Sequence, residues 1–369
     1  MKPSLATKAF ICYLISQLCV FSVKGSGSSL KSVQIVFRHG ERTPRISYES
    51  SGESKLTNKG KKEILELGQY VQKRYRNFLK SDVDRRSVNF ISSDMDRTLE
   101  SASVFAYGLF QNLNEKSSWN DEGLQYEPTP IQSIPEHIDR YLQSTEPCPR
   151  YTEQLFPAST TECMEDIARE NPEMINEFTK LTGNNVLLDP TTSGAAKADV
   201  IAVIGDQIRY NISNNLPLSD VGHKLSRFPI IFDISTKCQV YLFESVELQK
   251  LYSGPLLKSI LDNFQAEKPK KLVAFSAHDR TLFGQLMILG LVPPEIPRTG
   301  SAMIYELYAS DRRPSQRFLK IYYRNGKGLE LKEIKVPGCG ERCYLEHFLK
   351  IMQNVIPVNF VKECLLLDN

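Results

Sequence analysis

Residues 31–40 read KSVQIVFRHG. The first seven, KSVQIVF, are short, β-branched and mostly apolar, which predicts a buried strand. The run stops abruptly at Arg38-His39-Gly40. In open α/β sheets, ligands bind beyond the carboxyl ends of strands, so a basic cluster at such an end invites attention. The same pattern occurs twice more. Residues 87–92 (SVNFIS) lead into Ser93-Asp94-Met95-Asp96-Arg97, and residues 271–276 (KLVAFS) end at Ala277-His278-Asp279.

Helical patterns lie between these runs. Across 57–79 apolar residues recur at Ile64, Leu67, Val71, Tyr75 and Phe78, with Thr57 or Asn58 as the N-cap. A second helix is expected over 98–110. A third follows Asp279 through Leu289, stopped by Gly290 and Pro293-Pro294. Three more strand-like runs cover 302–308, 318–324 and 329–334. Strands alternating with helices predict an α/β fold, a central mixed sheet flanked by helices. Residues 111–265 differ, being rich in Pro, Asn and Glu, with helical patterns at 162–182 and 196–214. They are expected to form a smaller, mostly α-helical insertion or cap. The α/β domain would then comprise 26–110 and 266–369.

The chain has 369 residues, 41% hydrophobic and 24% charged, enough for a sizeable core. Lys2 and Lys8 precede a mostly apolar run over residues 10–23, and Val23-Lys24-Gly25 fits a cleavage site. Residues 1–25 therefore read as a secretory signal peptide, too short for a membrane span. Export to the extracellular space is expected. Removing them takes three lysines and no acids, so the formal charge falls from +3 to about zero. Nucleic acid and anionic membranes, which need a long-range positive field, are not expected partners. Six cysteines remain, Cys148, Cys163, Cys238, Cys339, Cys343 and Cys364, an even number that in an oxidising compartment reads as three disulfides. Fifteen pairings are open. Cys339 and Cys343 lack a second pair at metal-ligand spacing, which favours a small disulfide loop. Asn211-Ile212-Ser213 is an N-glycosylation sequon.

The three clusters carry chemistry. In Arg38-His39-Gly40-Glu41-Arg42 two guanidiniums flank one imidazole. Guanidinium matches phosphate oxygens bidentately, and a histidine held between two of them can attack phosphorus. Gly40 would let the backbone approach a ligand closely. Arg97 at a helix start is disfavoured by the macrodipole unless an anion is present; the competing reading is a pair with Asp94 or Asp96. His278 can hydrogen-bond a phosphate oxygen and Asp279 can protonate a leaving oxygen, unless Asp279 merely caps its helix. His137, His223 and His347 lack such neighbours, and Asp206 reads as an ordinary helix residue.

Taken in order, the clusters resemble the histidine acid phosphatases. Residues 38–44 (RHGERTP) match that family's RHGxRxP signature. Residues 93–98 (SDMDRT) resemble its second arginine segment, and His278-Asp279 its HD pair. The likeness extends through residues 56–60, 254–256 and 337–339, and covers roughly 31–365. Asn354-Val355-Ile356-Pro357 with Cys364 looks most like insect venom acid phosphatases. The resemblance implies His39 as the nucleophile forming phosphohistidine, and Arg38, Arg42 and Arg97 as phosphoryl-oxygen ligands. It implies phosphoryl contact by His278, and Asp279 as general acid. It also implies no metal or cofactor, small-molecule or protein phosphate monoesters as substrates, a homodimer, and an α/β domain plus a helical one. It supports Cys148–Cys364 and Cys339–Cys343, which leaves Cys163 with Cys238. Arg280 departs from the pattern, since relatives often carry a small polar residue there; an extra cation would favour acidic substrates.

The rivals are a phosphoglycerate mutase-like enzyme, a phytase-like specificity, and a secreted venom or binding protein with a dead site. Arg42, Pro44 and export favour a phosphatase over the mutase. A dead site predicts loss of His39, an arginine or Asp279, and none is lost.

Overall fold

The structure is a computed structural model that describes residues 27–44, 54–79, 87–111, 128–143, 148–183 and 185–366. The expected signal peptide, residues 1–25, lies outside the described residues. The strands are β1 (Ser28–Arg38), β2 (Val88–Ser93), β3 (Gln132–Ile134), β4 (Leu272–Ala277), β5 (Ala302–Ser310), β6 (Arg317–Arg324), β7 (Lys332–Ile334) and β8 (Cys343–Tyr344). They form one mixed sheet in the order β3-β2-β4-β1-β5-β6-β7, with β8 on β6. The β3, β2, β4 and β1 pairings are parallel, and β5, β6, β7 and β8 join antiparallel.

Side-chain alternation along β1 explains the layers. Val33, Ile35 and Phe37 pack with Ile64, Leu67 and Val71 of α1 (Asn58–Leu79) and Phe105 and Leu109 of α2 (Asp96–Phe110). Val36 faces the other side. There Leu257, Ile260 and Phe264 of α9 (Gly254–Gln265), Leu282 and Leu286 of α10 (Asp279–Ile288), and Phe348 of α11 (Leu345–Met352) complete a second core. Gln34, also on that side and buried, donates from Nε2 to the Ile260 carbonyl at 2.7 Å, so its burial leaves no donor wasted. Thr57 caps α1, its hydroxyl accepting from the Gly60 N–H at 3.0 Å.

The segment 111–265 contributes both to this sandwich and beside it. Its β3 joins the sheet and its α9 packs on it. A separate helical core gathers α3 (Phe156–Glu170), α4 (Pro172–Thr182), α5 (Gly194–Ser213), α6 (Asp220–Leu225) and α7 (Ile230–Leu242). The single pattern read over 162–182 is two helices, because Pro172 lacks an N–H and cannot continue the first; it opens α4 instead. The run expected over 329–334 is a strand only at Lys332–Ile334.

Three disulfides pair Cys148 with Cys364, Cys163 with Cys238, and Cys339 with Cys343. Cys163–Cys238 ties α3 to α7 within the helical core. Cys148–Cys364 spans 216 residues. In the chain-entropy view a loop of that size stabilises by on the order of 5 kcal/mol through the unfolded state. Among the described residues no helix is long and apolar enough to cross a membrane.

Candidate active site

Because β4 lies between β2 and β1, the carboxyl ends of all three strands stand side by side. The three polar clusters are therefore neighbours in space although Arg38 and Asp279 are 241 positions apart. The chain after β1 is pinned on both sides: the His39 N–H donates to the Ala277 carbonyl at 3.0 Å and the Arg38 N–H to the Ser301 carbonyl at 2.9 Å. Arg38, His39, Arg42, Arg97, His278 and Asp279 all line one cavity of about 500 Å³.

His39 is 3% exposed. Its Nδ1 lies 2.7 Å from the Gly40 carbonyl oxygen. A carbonyl only accepts, so Nδ1 carries the proton and Nε2 keeps the lone pair. Burial, then the charges of Arg38 and Arg97, hold the imidazole well below its ordinary pKa. The ring stays neutral in acid, as a nitrogen nucleophile requires.

The glycine after it stands where the backbone leaves no room for a side chain. A Cβ on Gly40 would stand 2.4 Å from the Gly60 carbonyl oxygen, and one on Gly60 would stand 2.2 Å from that of Glu41. This loop and the first turn of α1 approach each other closely here.

His278 is the N-cap of α10, and Asp279 stands at its first helical position. Gln143 donates from Nε2 to His278 Nε2 at 3.0 Å, and the Ser93 hydroxyl lies 2.8 Å from the same nitrogen. Burial foremost, with Arg97 next, depresses this histidine to about 3, so it too is neutral. Gln143 is held by a tight turn: Asp139 Oδ1 accepts the N–H groups of Tyr141 and Leu142, each at 2.9 Å, and Thr281 donates its hydroxyl to the Leu142 carbonyl.

Asp279 Oδ2 pairs with Arg38 Nη2 at 2.8 Å, and its Oδ1 accepts the Arg280 N–H at 2.7 Å. Burial pushes this carboxyl up, but the Arg38 charge and the Arg280 N–H outweigh it and hold it below the usual carboxylate range. Arg38 also donates from Nη1 to the Pro297 carbonyl at 2.6 Å. Its Nε is buried with no acceptor among the described residues, a donor that an oxyanion would satisfy. Arg97 stands in the first turn of α2, behind N-cap Met95, where the backbone already favours anions. Asp94 accepts instead from the Ser133 hydroxyl at 3.0 Å.

Asp206 corrects the sequence reading. It projects from α5 into the cavity wall and pairs through Oδ2 with Arg42 Nη1 at 2.9 Å. Gln143, Phe156, Gln239 and Tyr252 line the cavity as well. No motif in the sequence marks any of these five. His137, His223 and His347 are exposed. Asn211 sits near the C-terminal end of α5, its Nδ2 donating to the Pro217 carbonyl at 2.9 Å. Among the described residues, no three His, Cys, Asp or Glu side chains gather closely enough to hold a metal ion.

The chain is similar to known proteins in sequence and in fold. Bovine prostatic acid phosphatase is 30% identical over 351 residues, covering 91% of this chain and 87% of that protein. Bovine lysosomal acid phosphatase is 29% identical over 364 residues, covering 92% and 81%. Among solved structures, the apo phytase of Hafnia alvei superposes with a TM-score of 0.63 over 93% of this chain and all of that one, at 13% identity. The phytase of Klebsiella sp ASR1 gives 0.59 with the same coverage at 16% identity. These two likenesses concern the fold alone. The family model for the histidine phosphatase superfamily, branch 2, matches residues 46–324. That span begins just after the Arg38–Pro44 loop and takes in Arg97, His278 and Asp279. With most of its length matched and its three strand ends converging on one arginine-lined histidine, the chain belongs to branch 2 of the histidine phosphatase superfamily.

Proposed function

We propose that this protein is an acid phosphatase that hydrolyses phosphate monoesters through a phosphohistidine on His39. One observation carries the reading: a buried, neutral imidazole with its lone pair on Nε2 shares a cavity with the guanidiniums of Arg38, Arg42 and Arg97 and the carboxyl group of Asp279. His39 Nε2 attacks phosphorus and the ester P–O bond breaks. Asp279 gives a proton to the departing oxygen. Arg38, Arg42 and Arg97 hold the phosphoryl oxygens, with His278 beside them. Water then attacks phosphorus, loses a proton to Asp279, and frees His39 and inorganic phosphate. Each transfer is assisted where charge develops, the usual source of such rate enhancement.

Export is part of this reading. Residues 1–25 have the layout of a signal peptide, and the disulfides suit an oxidising compartment. Asn211 is the proposed glycan acceptor, and the venom-like C-terminal segment fits secretion. The test is phosphate release from p-nitrophenyl phosphate at acid pH by the purified protein, with competitive inhibition by vanadate and no effect of EDTA. Absence of release overturns the assignment, as does EDTA inactivation rescued by a divalent ion.

A further inference from the structure

The wall of the same cavity carries a cation that the proposed chemistry leaves unused. Arg280 follows Asp279 in the first turn of α10 and lines the cavity, half-buried. Its guanidinium lies over the Phe156 ring, 5.5 Å from the centroid. Arg38 and Arg42 are each answered by an aspartate. Arg280 has no carboxylate partner among the described residues.

Two local costs attend this placement. A cation in the first turn of a helix opposes the macrodipole. A partly desolvated guanidinium without a counter-charge loses hydration, and stacking on one aromatic ring returns only part of it. Both costs are relieved by an anion in the cavity. The phosphoryl group itself is taken by the arginines around His39. The anion at Arg280 must then belong to the rest of the substrate, the alcohol that departs. The fork of N–H groups on a guanidinium matches a carboxylate bidentately.

A second polar group of the same cavity lacks a partner. Gln239 on α7 is 6% exposed and lines the cavity, and its side-chain oxygen has no hydrogen-bond donor among the described residues. Buried amide oxygens are seldom left unmatched. A hydroxyl on the departing alcohol would donate to it.

We propose that Arg280 and Gln239 form a leaving-group subsite for phosphorylated hydroxy acids, monoesters whose alcohol carries a carboxylate and a further hydroxyl. The inference rests on the phosphatase reading of this cavity and deepens it. The carboxylate takes no part in bond making; it positions the ester oxygen against Asp279, the neighbour of Arg280 in sequence.

The experiment compares kcat/KM for 3-phosphoglycerate and glycerol 3-phosphate, which differ by a carboxylate in place of a CH2OH group. Both are assayed at about pH 5, where a carboxylate is ionised. Wild type should prefer 3-phosphoglycerate by about tenfold, the scale of one charge-assisted hydrogen-bonded pair. R280A should bring the ratio close to one, and R280K should keep part of it. The wild-type preference should shrink as salt rises. Equal turnover of the two substrates by wild type overturns the inference while leaving the phosphatase reading standing. So does an undiminished preference in folded R280A. Failure to hydrolyse either substrate or p-nitrophenyl phosphate overturns the phosphatase reading, and the inference with it.

Discussion

Arg38 Nη2 and Asp279 Oδ2 stand 2.8 Å apart, so the guanidinium assigned to phosphate and the carboxyl assigned to proton donation are partners before any substrate arrives. An incoming phosphoryl group competes for that guanidinium and adds negative charge beside the carboxylate. Both effects raise the affinity of Asp279 for a proton. The ion pair thus links phosphate binding to the arming of the acid. It also opposes binding, since the carboxylate shares Arg38 and repels the anion. D279N should therefore bind inorganic phosphate about three- to tenfold more tightly than wild type, the scale of losing one partly screened like-charge contact. Competitive inhibition constants measure this; an unchanged or weaker constant in D279N would refute the competition.

His39→Ala should lose turnover by orders of magnitude, because a covalent route splits one hard step into two easier ones and no other histidine holds its lone pair in this cradle. Secretion and cooperative unfolding should persist. The check is hydrolysis at matched folded concentration, together with the melting temperature. Turnover close to wild type would sink the nucleophile assignment.

Much of this site could be read from the sequence for a physical reason. β1, β2 and β4 run into polar clusters, β4 is buried throughout and β1 from Ser32 to Phe37; apolar composition and abrupt ends are local signals. The strand order is not local. That β4 inserts between β2 and β1 depends on packing, and only the recurrence of polar clusters at strand ends hinted at it. Asp206 was unreadable because its partner Arg42 lies 164 positions away, on a different element. Gln143 reaches His278 across 135 positions from a turn with no motif. Gly40 was legible as a required glycine, but its neighbour Gly60 was not. The break at Pro172 was visible in the sequence and masked by helical periodicity on both sides.

Asp206 holds Arg42 from the helical segment, with about a third of its side chain exposed. Solvent screening limits what the pair is worth to about 1 kcal/mol or less. D206N should therefore raise KM severalfold by loosening Arg42, with little change in melting temperature and a smaller change in kcat. A purely structural role would instead lower the melting temperature and leave KM alone.

Buried His39 and half-buried His278 set an acid-side stability cost. Burial chiefly, with Arg97 next, holds His278 at about 3, and His39 is also well below its ordinary value. Between the unfolded value of about 6.5 and these folded values, the unfolded chain binds more protons than the native one. Stability must fall as pH falls through that window, by on the order of 1.4 kcal/mol per pH unit for each histidine. Asp279, depressed in the folded state, adds its own loss only below about pH 4. Urea unfolding at about pH 7 and about pH 4.5 should show the decline, and H278Q should flatten it. An identical slope in H278Q would contradict a neutral His278.

The assignment of Asp279 as general acid meets its strongest competitor in a merely structural role. The structure narrows that competitor, because His278 is the N-cap and Asp279 the first helical residue. What remains is loss of the Arg38 pair and of a favourable first-turn charge, on the order of 1 kcal/mol. Such a loss is blind to the leaving group. General acid catalysis is not. It contributes about 10²–10⁴-fold where the departing oxygen is a poor anion. An alkyl phosphate needs that proton, whereas p-nitrophenolate leaves without it. D279A should therefore lose far more activity on an alkyl phosphate than on p-nitrophenyl phosphate. Substrate ionisation cannot mimic this, because at one pH each ester is equally ionised whether wild type or D279A acts on it. Phosphohistidine trapped in D279A with p-nitrophenyl phosphate should still be on His39, since only the proton donor is gone. Equal losses on both substrates, with a lowered melting temperature, would assign Asp279 to the scaffold and leave the leaving group's proton to another donor.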